Sequence, residues 1–266
     1  MCDMIYLPFS DILPVGVCEY ARLADNLFGC RALSRLPQNA RSVIVYLFPY
    51  YLGEDFYKNA NISKYAAVPD YHTAVGDILA EAACRLKSAC PEYTFECFCD
   101  NSPIDEVSAA VFAGLGVRGK NSLLLNEEYG SFCFIGEIVT DMPIQPSAQR
   151  ENAECIGCGA CEKACPVGAL AFGRVDKSRC LSAVTQKKGV LSPEETESIK
   201  SSGCAWGCDI CQNVCPMNKK IKKTPLGVFT ENAEARAELS SDITGKAYAW
   251  RGEKVIKRNL EILGCK

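Results

Sequence analysis

The stretch Cys155-Ile-Gly-Cys158-Gly-Ala-Cys161-Glu-Lys-Ala-Cys165-Pro166 decides the architecture of the C-terminal part of this sequence. Its spacing, C-x2-C-x2-C-x3-C-P, is typical of bacterial ferredoxins, in which three cysteines bind one [4Fe–4S] cluster and the fourth reaches another cluster. A tight loop with two-residue gaps can cover three iron corners of a cubane. The fourth corner has to be reached from elsewhere in the chain, so the pattern predicts a second group of cysteines.

That second group is Cys208-x2-Cys211-x3-Cys215-Pro216, a shortened version of the same run. By the crossing rule, the last cysteine of each group serves the cluster of the other group. The rule gives the first cluster four ligands: Cys155, Cys158, Cys161 and Cys215. It gives the second cluster three ligands: Cys165, Cys208 and Cys211. The eighth ligand is open between Cys180 and Cys204 on spacing alone.

The composition favours reduced thiols that bind metal. The 266 residues include 18 cysteines and one histidine, His72. The N-terminus carries Asp3 where a signal peptide would carry lysine or arginine, so a secreted disulfide framework is not expected. C-x2-C pairs also form zinc ribbons, but zinc sites rarely use the full run found here. A single histidine also weighs against mixed Cys/His zinc sites and against a catalytic Ser–His or Cys–His pair.

The charge balance excludes an overall basic field. There are 29 Lys and Arg residues against 32 Asp and Glu, a net charge of −3, which gives no general attraction for nucleic acid or an anionic membrane. No apolar run approaches the ~20 residues of a membrane span. We therefore expect a cytoplasmic protein without a membrane partner. The basic run from Asn218 to Lys223 is a solvated face or a contact for a phosphate backbone.

Periodicity and turn signals predict a mixed α/β domain at residues 1–145. The predicted strands are Ser42–Phe48, Thr94–Cys99 and Ser131–Val139, and the predicted helices are Thr73–Ala89 and Pro103–Ala113. The polar stretch Met142–Asn152 separates this domain from a cluster module at 150–225 and a C-terminal helical tail at 226–266. Within the module, Ser192-Pro-Glu-Glu195 predicts a helix start with a capping box, and Gly203 predicts its end.

Several motifs of this sequence occur together, in the same order, in one known family. They are Lys64-Tyr65-Ala66, Asp70-Tyr71-His72, Asp100-x-x-Pro103-x-x-Glu106, Ala113-Gly-Leu-Gly-x-x-Gly-Lys-Asn121, Tyr129-Gly-Ser131, Gly136-Glu-Ile138, Arg179-Cys180, Gly207-Cys-Asp-x-Cys-Gln-x-Val-Cys-Pro-x-Asn218 and Trp250-Arg-Gly followed by Lys257-Arg-Asn259. From about Arg41 onward, the chain resembles the epoxyqueuosine reductase family. Those are corrinoid-dependent iron–sulfur enzymes that reduce a modified base in tRNA.

The resemblance implies a fold, cofactors and partners. The fold would be an α/β (α+β), nitroreductase-like, corrinoid-binding sandwich followed by a ferredoxin-like module with two [4Fe–4S] clusters. Cys180 would be the eighth ligand, cobalamin a further cofactor, and a ferredoxin or flavodoxin the external electron donor. The enzyme would be an oxidoreductase of queuosine biosynthesis, with tRNA as a possible substrate.

By resemblance, Asp100 matches the acid that protonates the substrate while reduced cobalt supplies electrons. A carboxyl at the end of an apolar strand can be desolvated, which raises its pKa and lets it hold a proton near neutrality. The alternative is that Asp100 caps a helix that begins near Pro103, and both roles can hold together. His72 lies in a sequence similar to a cobalt-ligating Asp-x-His-x-x-Gly motif, but Gly76 comes one residue late. We therefore expect His72 to be structural and hydrogen-bonded.

The glycine-rich loop after Ala113 suits close backbone approach to a bulky ligand. With Ser131, it supplies the predicted cofactor-binding residues: Gly114, Gly116, Gly119, Lys120, Asn121 and Ser131. Its Gly-x-Gly-x-x-Gly spacing also occurs in dinucleotide-binding folds, but a helix rather than a strand is predicted before it.

Two departures from the family pattern affect the substrate more than the cofactors. Longer members continue past the Arg-Asn stretch into a helical-repeat domain, whereas this sequence stops at Lys266, so we expect a short form. The family's Glu-Arg pair after the catalytic acid is Glu106-Val107 here. The alternative functions are a ferredoxin-like electron carrier without corrinoid and a flavin-dependent reductase.

Overall fold

The computed structural model describes residues 5–148 and 154–265. Cys2 and the part of the predicted domain boundary at 149–152 lie outside these residues. The strands are β1 Val15–Glu19, β2 Ser42–Pro49, β3 Phe95–Cys99, β4 Val117–Arg118, β5 Leu124–Leu125, β6 Cys133–Thr140, β7 Leu170–Ala171 and β8 Arg174–Val175. The α-helices are α1 Lys64–Ala67, α2 Tyr71–Ala89, α3 Glu106–Phe112, α4 Ala160–Ala164, α5 Leu181–Thr185, α6 Pro193–Ser202, α7 Ile210–Asn213, α8 Gly227–Thr230 and α9 Glu253–Ile262.

The main sheet has four antiparallel strands in the order β1-β2-β6-β3. The central strand β2 is buried at every position, which explains its continuous apolar sequence SVIVYLFP. All three strands predicted from the sequence are present within two residues of their predicted ends. The mixed α/β class is therefore confirmed.

Helices cover both faces of this sheet, and glycines allow the close approach on each side. On one face, a Cβ at Gly136 would lie 2.8 Å from Leu79 of α2. On the other face, a Cβ at Gly16 would collide with the carbonyl oxygen of Ala113, which ends α3. The glycines thus permit both layers to pack directly on the strands.

The start of α3 differs from the prediction. The helix begins at Glu106, three residues after Pro103, and its N-cap is Asp105, whose carboxylate accepts a hydrogen bond from the Ser108 amide at 3.2 Å. Asp100 is therefore not the cap of this helix, and that alternative was wrong. By contrast, α6 has the predicted capping box between Ser192 and Glu195 and ends at Gly203 in the left-handed conformation.

Contacts divide the chain into two compact units. The first, the sheet unit, comprises Met1–Pro49, Tyr71–Arg118 and Cys133–Glu154. The second, the cluster unit, comprises Tyr50–Asp70, Gly119–Phe132 and Cys155–Lys266. Two segments from the first 145 residues thus pack with the cysteine-rich part. The limits of these two units differ from those of the predicted domains, which were 1–145, 150–225 and 226–266. The predicted domain limits therefore stay a prediction.

Hydrogen bonds tie the segments of the cluster unit together. The Ser63 amide donates to the Trp206 carbonyl at 2.8 Å, and the Ala205 amide donates to the Asn61 carbonyl at 2.6 Å. From α9, the fully buried Asn259 amide donates to the carbonyls of Thr185 and Ala205, both at 2.7 Å. The predicted helical tail is thus joined to the cysteine-rich part of the chain.

Across residues 5–148 and 154–265, none of the helices is both long enough and apolar enough to cross a bilayer.

Candidate functional site

The eight predicted cluster cysteines form two groups in the cluster unit. In the first group, the pKa of Cys215 is raised by burial and then by the charges of Cys155 and Cys158. The pKa of Cys161 is also raised by burial, with a smaller contribution from Cys215. The charges of Cys155, Cys158 and Cys161 thus interact with Cys215, which supports the predicted ligand set of the first cluster.

For the second predicted cluster, the charge of Cys180 acts on both Cys208 and Cys211. Burial raises the pKa of the Cys208 thiol to about 11, with further contributions from Asp209, Cys180 and Cys165. Burial likewise raises the pKa of Cys211 to about 12, followed by the charges of Cys208 and Cys180. These neighbours are consistent with Cys180 as the eighth ligand, as the resemblance implies.

Cys204, the alternative eighth ligand, is engaged elsewhere. Its thiol donates to the carbonyls of Trp206 at 3.2 Å and Gly207 at 3.5 Å. The sulfur of Cys165, in contrast, accepts a hydrogen bond from the Ala169 amide at 3.2 Å. The assignment of Cys180 rather than Cys204 stays a prediction that these contacts support.

Two glycines shape the first cysteine loop. Among the residues that the structure describes, no three His, Cys, Asp or Glu side chains are grouped as ligands of one metal ion. Gly157 and Gly159 have φ angles of 68° and 69°, so the chain can turn sharply between the first three ligands.

A polar network supports the second cysteine group. The buried Asp209, next to Cys208, accepts from the Lys64 amide at 2.6 Å and from the Gln212 side chain at 3.1 Å. The Lys64 ammonium donates to Asn213 at 2.5 Å. The sequence predicts Lys64, Asp209 and Gln212 as motif residues but gives them no role. The available signal was their position: Lys64 begins the Lys-Tyr-Ala motif, and Asp209 and Gln212 lie between predicted cysteine ligands.

Ser131 belongs to the same network. Its hydroxyl donates to Gln212 at 2.8 Å and accepts from the Asn218 amide at 2.9 Å, while its backbone amide donates to Asn218 at 2.8 Å. The polar groups of Ser131 are thus used within the protein. Its predicted contact with a cofactor stays a prediction, and its observed contacts hold the loop at 131 against the cysteine loop.

The glycine-rich loop contributes to both units: Gly114 and Gly116 lie in the sheet unit, and Gly119, Lys120 and Asn121 lie in the cluster unit. Gly114 has a φ of 75°. The Asn121 Nδ2 atom is buried and lacks a hydrogen-bond partner, so it can donate to an acceptor on a bound ligand. Lys120 lies 3.9 Å from Glu162 and is 42% exposed in its side chain. The helix α3 precedes the loop, which agrees with the exclusion of a dinucleotide site.

Asp100 ends β3 in the left-handed conformation, with φ of 56°. Its Oδ2 atom accepts from the Tyr71 hydroxyl at 3.1 Å and lies 3.0 Å from Nε2 of His72. The Tyr71 ring stacks on Phe134 with ring centroids 4.2 Å apart. The only histidine of the sequence is thus hydrogen-bonded, as expected, but its partner is the predicted catalytic acid. This contact was missed because the two residues are 28 positions apart.

The Asp100 side chain is 60% exposed and that of His72 is 40% exposed. The predicted desolvation of Asp100 is therefore not complete in the protein alone, and the role of Asp100 as an acid stays a prediction.

The cluster unit also contains a cavity of about 190 Å³, lined by residues that include Lys64, Cys208 and Asp209. Pockets for drug-sized ligands are typically larger than roughly 300 Å³. A corrinoid is larger still, so this cavity cannot hold one.

Comparison with known proteins gives two family matches. Residues 154–218 match the family model of the 4Fe-4S double cluster binding domain, and residues 31–101 match that of epoxyqueuosine reductase QueG, DUF1730. The prediction of two [4Fe–4S] clusters is confirmed by the first match.

Curated relatives have the same description. The chain is 34% identical over 229 residues to epoxyqueuosine reductase of Cyclobacterium marinum, covering 85% of this chain and 72% of the relative. It is 36% identical over 197 residues to epoxyqueuosine reductase of Escherichia coli, covering 74% of this chain and 50% of the relative. The chain thus spans between half and about three quarters of the length of these relatives.

Solved structures agree in fold. Epoxyqueuosine reductase from Streptococcus thermophilus matches with a TM-score of 0.78 and 26% identity, over 94% of this chain and 76% of that one. A structure of epoxyqueuosine reductase with an epoxyqueuosine-modified tRNA-Tyr stem loop matches with a TM-score of 0.78 and 24% identity, over 96% of this chain and 78% of that one. A reductive dehalogenase structure, described in terms of B12-dependent dehalogenation, matches with a TM-score of 0.50 and 16% identity, over 94% of this chain and 33% of that one. At this identity the match shows a similar fold and nothing more.

Proposed function

Because this chain belongs to the epoxyqueuosine reductase family, we propose that it is a corrinoid-dependent iron–sulfur reductase that acts on the epoxide of epoxyqueuosine in tRNA. The observation that carries the proposal is one chain with both a double-cluster domain and an exposed Asp100 hydrogen-bonded to Tyr71 and His72. The first feature stores and passes electrons, and the second holds a proton for a bound molecule.

Removal of an epoxide oxygen as water consumes two electrons and two protons. The proposed role of Asp100 is to give one of these protons to the oxygen that leaves carbon. His72 and Tyr71 both contact the Oδ2 atom of Asp100, so they are proposed to orient its carboxyl. Substrate binding then excludes water from this carboxyl, which raises its pKa and makes it a better acid near neutral pH.

The corrinoid supplies low-potential electrons at cobalt when it is bound. The residues proposed to hold it are those of the glycine-rich loop. The buried, unpartnered Asn121 amide fits an amide or phosphate acceptor of such a cofactor, and Lys120 offers a positive charge beside it. The glycines let the backbone come close to a large planar ring.

An external donor of the ferredoxin or flavodoxin type is proposed to reduce the clusters. Cys158 is exposed, and its neighbour Ile156 is 60% exposed. The first cysteine loop therefore presents a ligand and an apolar side chain to the surface, where a small redox protein can dock. The tRNA is proposed as substrate because a family member has been solved with a modified stem loop. The lysines at 219–223 are the candidate contacts for its phosphates.

The test uses anaerobically purified protein supplied with cobalamin and an artificial reductant. About eight irons and one retained cobalt per chain are expected, with conversion of an epoxyqueuosine-containing stem loop to a product lighter by one oxygen. Asp100→Asn should abolish conversion but keep iron and cobalt. Eight irons without retained cobalt would support the electron carrier or flavoprotein instead. Full iron and cobalt content without conversion of the stem loop would mean that only the proposed substrate is wrong.

A further inference from the structure

Two glutamates, one fully buried and one half-buried, lie near the Asp100 turn. Glu137 is in the middle of β6 and is 0% exposed. Glu106 is the first residue of α3, and its Oε1 atom is buried. Burial raises the pKa of Glu106 well above its ordinary value, and the charge of Glu137 raises it further. In the sheet, Glu137 pairs with Val45 and Val45 with Gly16, the residue on which Ala113 at the end of α3 packs. Glu137 therefore faces the layer that contains Glu106.

The pair lacks a neutralising cation among the residues that the structure describes. In the ion pairs formed by the described residues, neither glutamate takes part. The Ser102 hydroxyl donates to Oε2 of Glu137 at 2.6 Å, but the Oε1 atoms of both glutamates lack a partner. Two charged carboxylates on the same side of the sheet, each with a buried oxygen that lacks a partner, would be disfavoured. One proton between them removes one charge and turns one orphan oxygen into a donor for the other.

The pair is linked to Asp100 through the backbone. The Asp100 amide donates a hydrogen bond to the Glu106 carboxyl. At the same residue the chain turns with φ of 56°, a conformation that residues other than glycine adopt rarely and only when neighbours hold it. The Glu106 carboxyl is therefore part of what fixes the direction of the Asp100 side chain.

We propose that Glu106 and Glu137 share one proton and act as a positioning pair, which holds the Asp100 turn in the conformation that presents its carboxyl. The existence of the pair is independent of the reaction, but its role in turnover rests on the proposed function. The other charged and titratable groups that face it are Asp100, Asp105 with its partner Arg118, and the Cys18 thiol on β1. When the shared proton is lost at alkaline pH, two negative charges lie beneath the turn.

The pair can be tested without turnover. Holoprotein with ¹³C-labelled glutamate carboxyls is titrated by NMR, and two carboxyl resonances should change together, above the pH range near 4.3 where ordinary glutamates titrate. Glu137→Gln should leave one of these resonances, which titrates in a single, shifted step. Two resonances that titrate with the ordinary glutamates would overturn the proposal. So would a Glu106 resonance that is unchanged in Glu137→Gln.

The positioning role has its own readout. The backbone amide shift of Asp100 should follow the titration of the pair. Glu106→Gln keeps an oxygen acceptor, so the Asp100 amide should keep its hydrogen-bonded chemical shift but lose most of the pH dependence of that shift. Glu106→Leu should lose the hydrogen-bonded chemical shift as well and lower kcat at least tenfold with iron content unchanged. Exposed Glu81 on α2 is the matched control, and Glu81→Gln should change none of these values. If wild-type protein does not turn over epoxyqueuosine, the carboxyl and amide titrations still decide the inference, so the two failures are distinguishable. An Asp100 amide unaffected by Glu106→Leu would refute the positioning role.

Discussion

Replacement of Cys180 by alanine should remove one cluster and leave the other. Cys180 is the predicted fourth ligand of the second cluster, and its charge acts on both Cys208 and Cys211. Alanine leaves that cluster with three cysteine ligands, whereas the first cluster keeps all four. The iron content should therefore fall from about eight to about four per chain. Alanine is preferred to serine because a serine oxygen can itself bind iron.

Cys204→Ala is the matched control. The Cys204 thiol makes two weak hydrogen bonds to backbone carbonyls and packs as a small apolar residue. Its loss should cost on the order of 1 kcal/mol of unfolding free energy and no iron. Cys84, which is exposed on α2, provides a second control for the loss of any thiol.

The assay is iron and acid-labile sulfide per chain after anaerobic purification, with the electron paramagnetic resonance of the reduced protein to count the clusters. The reverse pattern, with eight irons in Cys180→Ala and about four in Cys204→Ala, would refute the ligand assignment. Full iron content in both single variants would mean that either cysteine can complete the cluster. The double variant should then lose half of the iron.

Three further changes test the site and its support. Asn259→Leu leaves two buried carbonyls without donors, so thermal or urea unfolding should show a loss of about 2–6 kcal/mol, at 1–3 kcal/mol for each group; an unchanged midpoint would contradict the role of this amide. His72→Gln should lower kcat roughly tenfold or more with iron and cobalt content retained, because a support of the proton donor is changed; an unchanged pH–rate profile would argue that His72 is only structural. Because the pKa values of Glu106 and Glu137 are raised, the folded protein keeps a proton that the unfolded chain releases. The contribution of this proton to the free energy of unfolding is fully present below pH ~4.3 and is lost as pH rises, at up to about 1.4 kcal/mol per pH unit. The double variant Glu106→Gln/Glu137→Gln should lack this part of the slope in urea unfolding measured from pH 4 to 8, and a slope identical to that of the wild type would exclude the shared proton.

Local signals in the sequence predicted much of the fold. The capping box at Ser192 and the apolar run at β2 need only neighbouring residues to be interpreted, and both were correct. The start of α3 was wrong because Pro103 is compatible with a first turn, but the Asp105 side chain caps the Ser108 amide three residues later. That competition is decided by tertiary packing, which the local pattern does not contain.

The residues of the candidate site could be predicted where their spacing along the chain is set by the ligand they hold. The cysteine runs are such a case, because the cubane geometry dictates their gaps. The contact between His72 and Asp100 was not predictable, since it joins the start of α2 to the end of β3. Glu137 carried a usable signal that was overlooked: a charged residue within the apolar strand FIGEIV, where burial without a cation implies a shared proton or a partner.

The division of the cluster unit into three separate stretches of chain affects the order of its biosynthesis. Residues 50–70 leave the ribosome well before the first ligand, Cys155, and the central strand β2 must wait for β6 before its second edge is paired. At roughly 5–20 residues per second, translation leaves these apolar segments without partners for several seconds. The cysteines of both clusters are complete only once Cys215 has been made. The nascent chain should therefore depend on chaperones during this interval, and cluster delivery should follow release rather than accompany elongation.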